Sequence, residues 1–309
     1  MAQELRNAYG LSLAKLVKEN DKIIVLDADL TKSTKTIEAK KIDPNRHINA
    51  GIAECNMMGM AAGLAASDKI VFASSFAMFA SGRAYEIIRN SICYPNLNVK
   101  IAATHAGLCV GEDGASHQCI EDIALMRAIP NMQVFVPSDQ YMCAKLIEYV
   151  SSIKGPCYIR MGRGKVDDIY DENTNFDFTK VNVVRKGAKV LIFACGLMVQ
   201  EALKASTLLE KEGINPTIVD VCSIKPIDAK GIINLASEHD YIFTLEEHNI
   251  YGGLFSAISE VLSANLPKKI KALAVNDVFG ESGKMLDVLK KYQMHYEDVY
   301  KLIKEEIGC

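Results

Sequence analysis

The sequence predicts an α/β protein of two domains, the first built on a mostly parallel sheet and the second smaller. Three observations carry this. Continuous apolar runs such as Ile23-Ile24-Val25-Leu26 suit strands buried on both faces. These runs alternate with segments whose apolar positions recur at helical spacing, the pattern of helical crossovers between parallel strands. The alternation is interrupted once, by the stretch 167–180, which holds five acidic residues, no Gly or Pro, and no clear period.

Taken in order, the spacing predicts a helix over 5–19 and then the strand at 23–26. Further strands are expected at 69–73, 98–103, 132–137 and 157–160, interleaved with helices beginning at Cys55, Gly82, Ile120 and Gln140. After the linker, strands at 189–194, 217–221, 241–245 and 271–275 alternate with helices from Gln200, Ala229, Phe255 and Met285. The domains are therefore placed at 1–180 and 181–309.

With 309 residues, the chain can bury a core in each half. A formal net charge of −3 with dispersed basic residues argues against a nucleic-acid or anionic-membrane surface. No apolar run reaches the roughly 18 residues of a spanning helix, and the start lacks a signal-peptide core, so a cytoplasmic protein is expected. Nine cysteines, none three apart and most in apolar runs, read as free core thiols in a reducing compartment.

The run Gly111-Glu112-Asp113-Gly114-Ala115-Ser116-His117-Gln118 packs two acids and an imidazole among small residues, and His105 stands close before it. This composition suits polar chemistry at the end of an apolar strand better than a core. Glu54 is the only charge in the small and apolar stretch 48–63. A carboxyl desolvated there can hold a proton and donate a hydrogen bond to a nitrogen heterocycle; the alternative is an acid stabilising a helix start. Phe76 and Phe79 could form a platform for a flat ring, although their spacing alone favours plain core. Arg6, Ser33, His105 and Arg160 are candidate phosphate donors, each equally readable as an ordinary surface or capping residue unless they converge in space. The sequence has no G-x-G-x-x-G, no P-loop and no H-E-x-x-H, which removes support for a Rossmann dehydrogenase, an NTPase or a zincin.

In combination, Asp27-Ala28-Asp29-Leu30, Gly51-Ile52-Ala53-Glu54 with Met57 and Gly59, the Phe76/Phe79 pair, Gly111 to Gln118 and Pro137-Ser138-Asp139 resemble the pyrimidine-binding domain of transketolases. Leu245-Glu246-Glu247-His248-Asn249 and Tyr251-Gly252-Gly253-Leu254 are similar to the family's C-terminal domain. The resemblance covers nearly the whole chain and implies the C-terminal subunit of a split, two-chain transketolase. Its cofactor would be thiamine diphosphate. The Mg²⁺ ligands would come from an N-terminal partner subunit carrying the diphosphate-binding domain, in a heterotetramer acting on sugar phosphates.

The resemblance further implies that Glu54 bonds N1′ of the cofactor's aminopyrimidine, and that Phe76, Phe79 and Leu30 pack on or near the cofactor. Asp113 would contact the ketose C2 hydroxyl. His117 and His105 would bind substrate and support proton transfer, and Arg6, Ser33, His105 and Arg160 would hold the sugar phosphate. Two positions depart from the common pattern. Gly82 stands where many transketolases have tyrosine, and Ala106 follows His105 where aspartate is frequent. The runs Arg83-Ala84-Tyr85 and Arg160-Met161-Gly162-Arg163-Gly164 also look like deoxyxylulose-phosphate synthases. The remaining rivals are a 2-oxo-acid dehydrogenase β subunit and a catalytically silent regulatory partner.

Overall fold

The computed structural model describes residues 2–308. A seven-stranded sheet organises the first half, in the order Ser223–Lys225, Gln133–Phe135, Cys157–Arg160, Val99–Thr104, Ile70–Phe76, Ile23–Asp27, His47–Asn49. All neighbours are parallel except the first pair. The central strands are largely apolar because helices cover both faces; every residue of Ile23–Asp27 and of Val99–Thr104 is buried, Lys100 included, its Nζ donating to the Ile153 and Gly155 carbonyls. Helix Leu5–Glu19 spans its predicted range, and Gln140–Ser152 starts where expected, with the Asp139 carboxylate capping the Met142 N–H at 2.8 Å. The helix expected from Gly82 is instead two π-type segments, Met78–Arg83 and Ile88–Cys93, flanking a short α-helical turn at Tyr85–Ile87.

The second half forms a five-stranded sheet ordered Ile270–Val275, His239–Asn249, Lys189–Ala194, Thr217–Asp220, Asn182–Arg185, parallel except at its last strand. Its final helix, Tyr296–Ile307, is absent from the sequence prediction, as are the short helix Ile37–Ile42 and several strands of two to four residues. The short helix and strands carry too few periods to be distinguished from a loop, whereas Tyr296–Ile307, at 12 residues, is long enough to carry a helical period and is simply missed.

One short strand changes the picture of two self-contained halves. Ser223–Lys225 lies in the second half of the sequence yet pairs with Gln133–Phe135 at the edge of the first sheet. A continuous apolar cluster follows the junction, joining Val134 and Val136 to Phe193, Val219 and Leu254. Seven of the eight described cysteines are buried free thiols and Cys55 is exposed. Among the described residues no helix is long and apolar enough to cross a membrane.

Asp220 sits in this junction, wholly buried, taking hydrogen bonds from the Ser138 hydroxyl and from Tyr170 Oη at 3.0 Å. Its Oδ1 has no partner. Burial, with Asp139 nearby, pushes its carboxyl up to about 7. The folded protein thus binds this proton more tightly than the unfolded chain, so the group's contribution to stability falls as pH rises from the unfolded value, about 4, through about 7. Relative to Asp220→Asn, the wild type is expected to lose on the order of 2 kcal/mol between pH 5 and pH 8. Urea unfolding of both proteins at the two pH values checks this; a difference that stays constant with pH would be the contrary result.

Candidate active site at the carboxyl edge of the first sheet

Parallel sheets gather the carboxyl ends of their strands on one edge, and the loops beyond those ends are where side chains are free to converge. Here that edge brings together residues from five separate segments. Phe76 ends strand Ile70–Phe76, His105 follows Val99–Thr104, and Leu30 and Ser33 follow Ile23–Asp27. Glu54 opens helix Glu54–Ala66, and Arg6 lies in the first turn of Leu5–Glu19.

The aromatic residues form one cluster. The rings of Phe76 and Phe79 lie 6.1 Å apart and 22° from parallel. His105 stacks on Phe76 at 3.8 Å, while His117 meets Phe79 edge-on at 5.2 Å. Phe76 is buried, but Phe79 is only partly so. The pair therefore forms a wall shared with two imidazoles, an arrangement that plain core packing does not require. A Cβ placed on Gly82 would stand 2.2 Å from Met78 Cε, so the methionine fills the space a larger residue there would use.

Glu54 is 1% exposed although its helix neighbours Cys55 and Asn56 are exposed. Ser75 Oγ donates to its Oε1 at 3.2 Å. Arg83 Nη1 donates to Oε2 at 2.6 Å, and the same guanidinium lies 4.8 Å from the Phe79 ring centroid. The carboxyl is thus not the isolated acid its sequence neighbourhood predicts. Arg83 reaches it from 29 residues away, through the π-type segment that no hydrophobic period foreshadows.

The phosphate candidates divide. Arg6 Nη1 donates to the Ser33 carbonyl at 3.0 Å, and the Arg6 charge is also paired with Glu4 at 2.9 Å. The His105 ring is held well below the usual imidazole range, at about 3, first by burial and then by the positive fields of Arg6, Arg163 and His117. At neutral pH it is a neutral donor or acceptor, with Nδ1 2.9 Å from Thr104 Oγ1. Around that ring, Arg6 is anchored on the Ser33 carbonyl and His117 packs on the Phe76 and Phe79 rings.

Arg160 requires a correction. Its side chain is 5% exposed; Nε engages both Asp122 oxygens at 2.9–3.0 Å, and Nη2 donates to the carbonyls of Glu247 and Cys119. It is a buried ion-pair residue of the first half, its Nε committed to Asp122 and its Nη2 reaching across to the second half at Glu247. Arg163, three positions later, is the cation that reaches the cluster. It is 37% exposed, donates to the Val110 carbonyl and stands 4.0 Å from Asp113. A four-residue strand ends at Arg160, and the chain leaves the sheet before Arg163, which is why the two differ. The sequence signal was the second arginine of Arg160-Met161-Gly162-Arg163.

Asp113 is exposed and His117 partly exposed, with Nδ1 3.0 Å from Ser116 Oγ. Leu30 is half-buried, in a turn whose carbonyl accepts the Thr34 N–H at 2.8 Å. Asn49 at the neighbouring strand end takes the Asp29 N–H at 3.0 Å and returns its own amide to the Asp29 carboxylate, fixing Asp29 at φ 62°. The site is therefore an open, half-aromatic wall with one buried carboxyl and a cationic rim.

Comparison with known proteins bears on this geometry. The family model for the transketolase pyrimidine-binding domain matches residues 1–168, and that for the transketolase C-terminal domain matches residues 179–299. A transketolase C-terminal section from Methanocaldococcus jannaschii is 50% identical over 98% of this chain and 96% of its own length. The transketolase of Rattus norvegicus is 37% identical over 97% of this chain, which spans 48% of the rat protein. A solved split-gene transketolase, described as an inactive β4 tetramer, superposes with a TM-score of 0.90 at 48% identity, covering 99% of this chain and 98% of that one. Matched along both halves by family models and end to end by these relatives, the chain belongs to the transketolase family.

Proposed function

We propose that this chain is the C-terminal subunit of a two-chain transketolase, which transfers a two-carbon ketol unit from a ketose phosphate to an aldose phosphate. The observation that carries the reading is the convergence of the buried Glu54 carboxyl, the Phe76/Phe79 wall, His105 and His117 beside a rim of Arg6 and Arg163. The transketolase family depends on thiamine diphosphate, and the residues present fit its aminopyrimidine: a flat ring needs an aromatic wall, and its ring nitrogen needs a carboxyl able to share a proton. When bound, the cofactor supplies the carbon nucleophile for breaking and remaking the ketose C2–C3 bond.

The chain's own residues supply the rest. Glu54 shares a proton with the pyrimidine N1′, its other oxygen held by Arg83. Phe76, Phe79 and Leu30 shield the ring from water. His105, neutral at physiological pH, and His117 hold hydroxyls near the reacting carbons and move protons at their ring nitrogens. Asp113 orients the ketose C2 hydroxyl. Arg6, Ser33 and Arg163, in place of Arg160, hold the phosphate through charge-assisted and neutral hydrogen bonds. Mg²⁺ with the diphosphate is assigned to an N-terminal partner subunit in a cytoplasmic heterotetramer. The family matches favour this reading over the deoxyxylulose-phosphate synthase and 2-oxo-acid dehydrogenase alternatives.

The test is ketol transfer from xylulose 5-phosphate to ribose 5-phosphate with thiamine diphosphate and Mg²⁺. It compares this chain alone, a diphosphate-domain partner alone, and the two mixed. Activity in the mixture only is expected. A confirmed complex without transfer from any ketose phosphate would count against it, as would full activity without this chain.

A further inference from the structure

The loop 105–118 carries His105, Asp113 and His117, and the second half of the chain grips it from behind. Glu247, on strand His239–Asn249, is 4% exposed, and its Oε1 accepts the Cys109 N–H at 2.6 Å. Gly107 has φ +83°, and a Cβ there would stand 2.4–2.6 Å from the Glu247 carboxyl atoms, so a side chain at 107 would displace the contact. On its other side Glu247 is fixed by Arg160, whose Nη2 donates to the Glu247 carbonyl at 2.9 Å and whose positive charge offsets the buried carboxylate.

Four positions before Cys109, His105 holds φ 61°. A non-glycine residue keeps a left-handed conformation only where its surroundings over-determine it. The following residues supply successive tethers: Ala106 N–H to the Met161 carbonyl at 3.1 Å, Gly107 N–H to Cys119 at 2.7 Å, and then Cys109 to Glu247. The far end of the loop is tied to the same half of the chain, since Gln118 Nε2 bridges the carbonyls of Leu108 at 2.7 Å and Glu281 at 2.9 Å. The first two tethers come from the loop's own sheet and the loop itself. Glu247 is the charged one, and charge-assisted acceptance of backbone N–H groups is the stronger kind.

We infer that Glu247 is a positioning residue for ketol transfer: its carboxylate fixes the backbone of 107–109 and so holds the His105 ring against Phe76, without touching cofactor or substrate. The catalytic consequence rests on the proposed function; the tether itself does not.

The test uses Glu247→Asp, which keeps the charge beside Arg160 but withdraws the carboxylate by one methylene, and Glu247→Gln, which keeps the reach and an acceptor oxygen. Gly107→Ala attacks the contact from the loop side. Each is studied as the full chain and as the assembly reconstituted with the diphosphate-domain partner, after circular dichroism and unfolding curves establish folding. In Glu247→Asp and Gly107→Ala, amide exchange of peptides spanning 105–118 is expected to accelerate about tenfold or more, the scale of one lost charged hydrogen bond. Peptides covering 70–76 and 270–275 should be unchanged, and kcat/KM should fall by a comparable factor. Glu247→Gln should recover most of both. A folded Glu247→Asp with wild-type exchange in the loop would overturn the inference, and so would lost activity without altered exchange. If the wild-type assembly transfers no ketol unit, the functional reading fails while the exchange data still decide the tether.

Discussion

Glu54→Gln is expected to reduce kcat of the reconstituted assembly by about a thousandfold, the middle of the range for a lost acid–base group. Glutamine is nearly isosteric and keeps an acceptor oxygen for Ser75, now at 3.2 Å, so the pocket's shape survives. The substitution removes the acid that can share a proton with a ring nitrogen. Arg83 loses its counter-charge but is 47% exposed on its side chain and retains its place over the Phe79 ring, so little change in stability is expected. Steady-state transfer rates together with thermal unfolding of both proteins check this. Activity within about fivefold of wild type would remove Glu54 from its assigned role.

The two arginines of the 160–163 segment are expected to separate cleanly. Arg163→Ala should raise KM for a phosphorylated ketose by about 10- to 100-fold, the value of one charge-assisted hydrogen bond, and leave an unphosphorylated ketose little affected. Arg160→Ala should act on the fold instead. It strands Asp122, 0% exposed, and removes donors from the Glu247 and Cys119 carbonyls. Breaking a buried pair in this way costs about 3–5 kcal/mol. Chemical unfolding and KM measured on both variants distinguish the two. A pure KM effect in Arg160→Ala, with stability unchanged, would return the phosphate role to that residue.

Both expectations rest on reading an open site, and the buried carboxyl in it shows how far local composition can lead. Glu54 stands in a stretch of small and apolar residues, which correctly signals its burial. The same stretch gives no sign of Arg83, because an ion pair between residues 29 apart depends on where a π-type turn sets its side chains. The Phe pair illustrates the converse. Spacing favoured packing alone, and only the tertiary structure shows that His105 and His117 lie against those rings.

What the sequence determined by itself was the parallel α/β architecture, most strand and helix positions, and the family resemblance carried by its ordered motifs. These are legible because hydrophobic period, capping and turn chemistry act over a few residues. Tertiary structure alone decided that Arg160 is buried on Asp122 while Arg163 stays partly exposed beside Asp113, that Ser223–Lys225 completes the first sheet, and that Glu247 crosses to the loop bearing His105. Those contacts join residues far apart in the chain. Their geometry is set by strand ends and domain packing, which no local periodicity encodes.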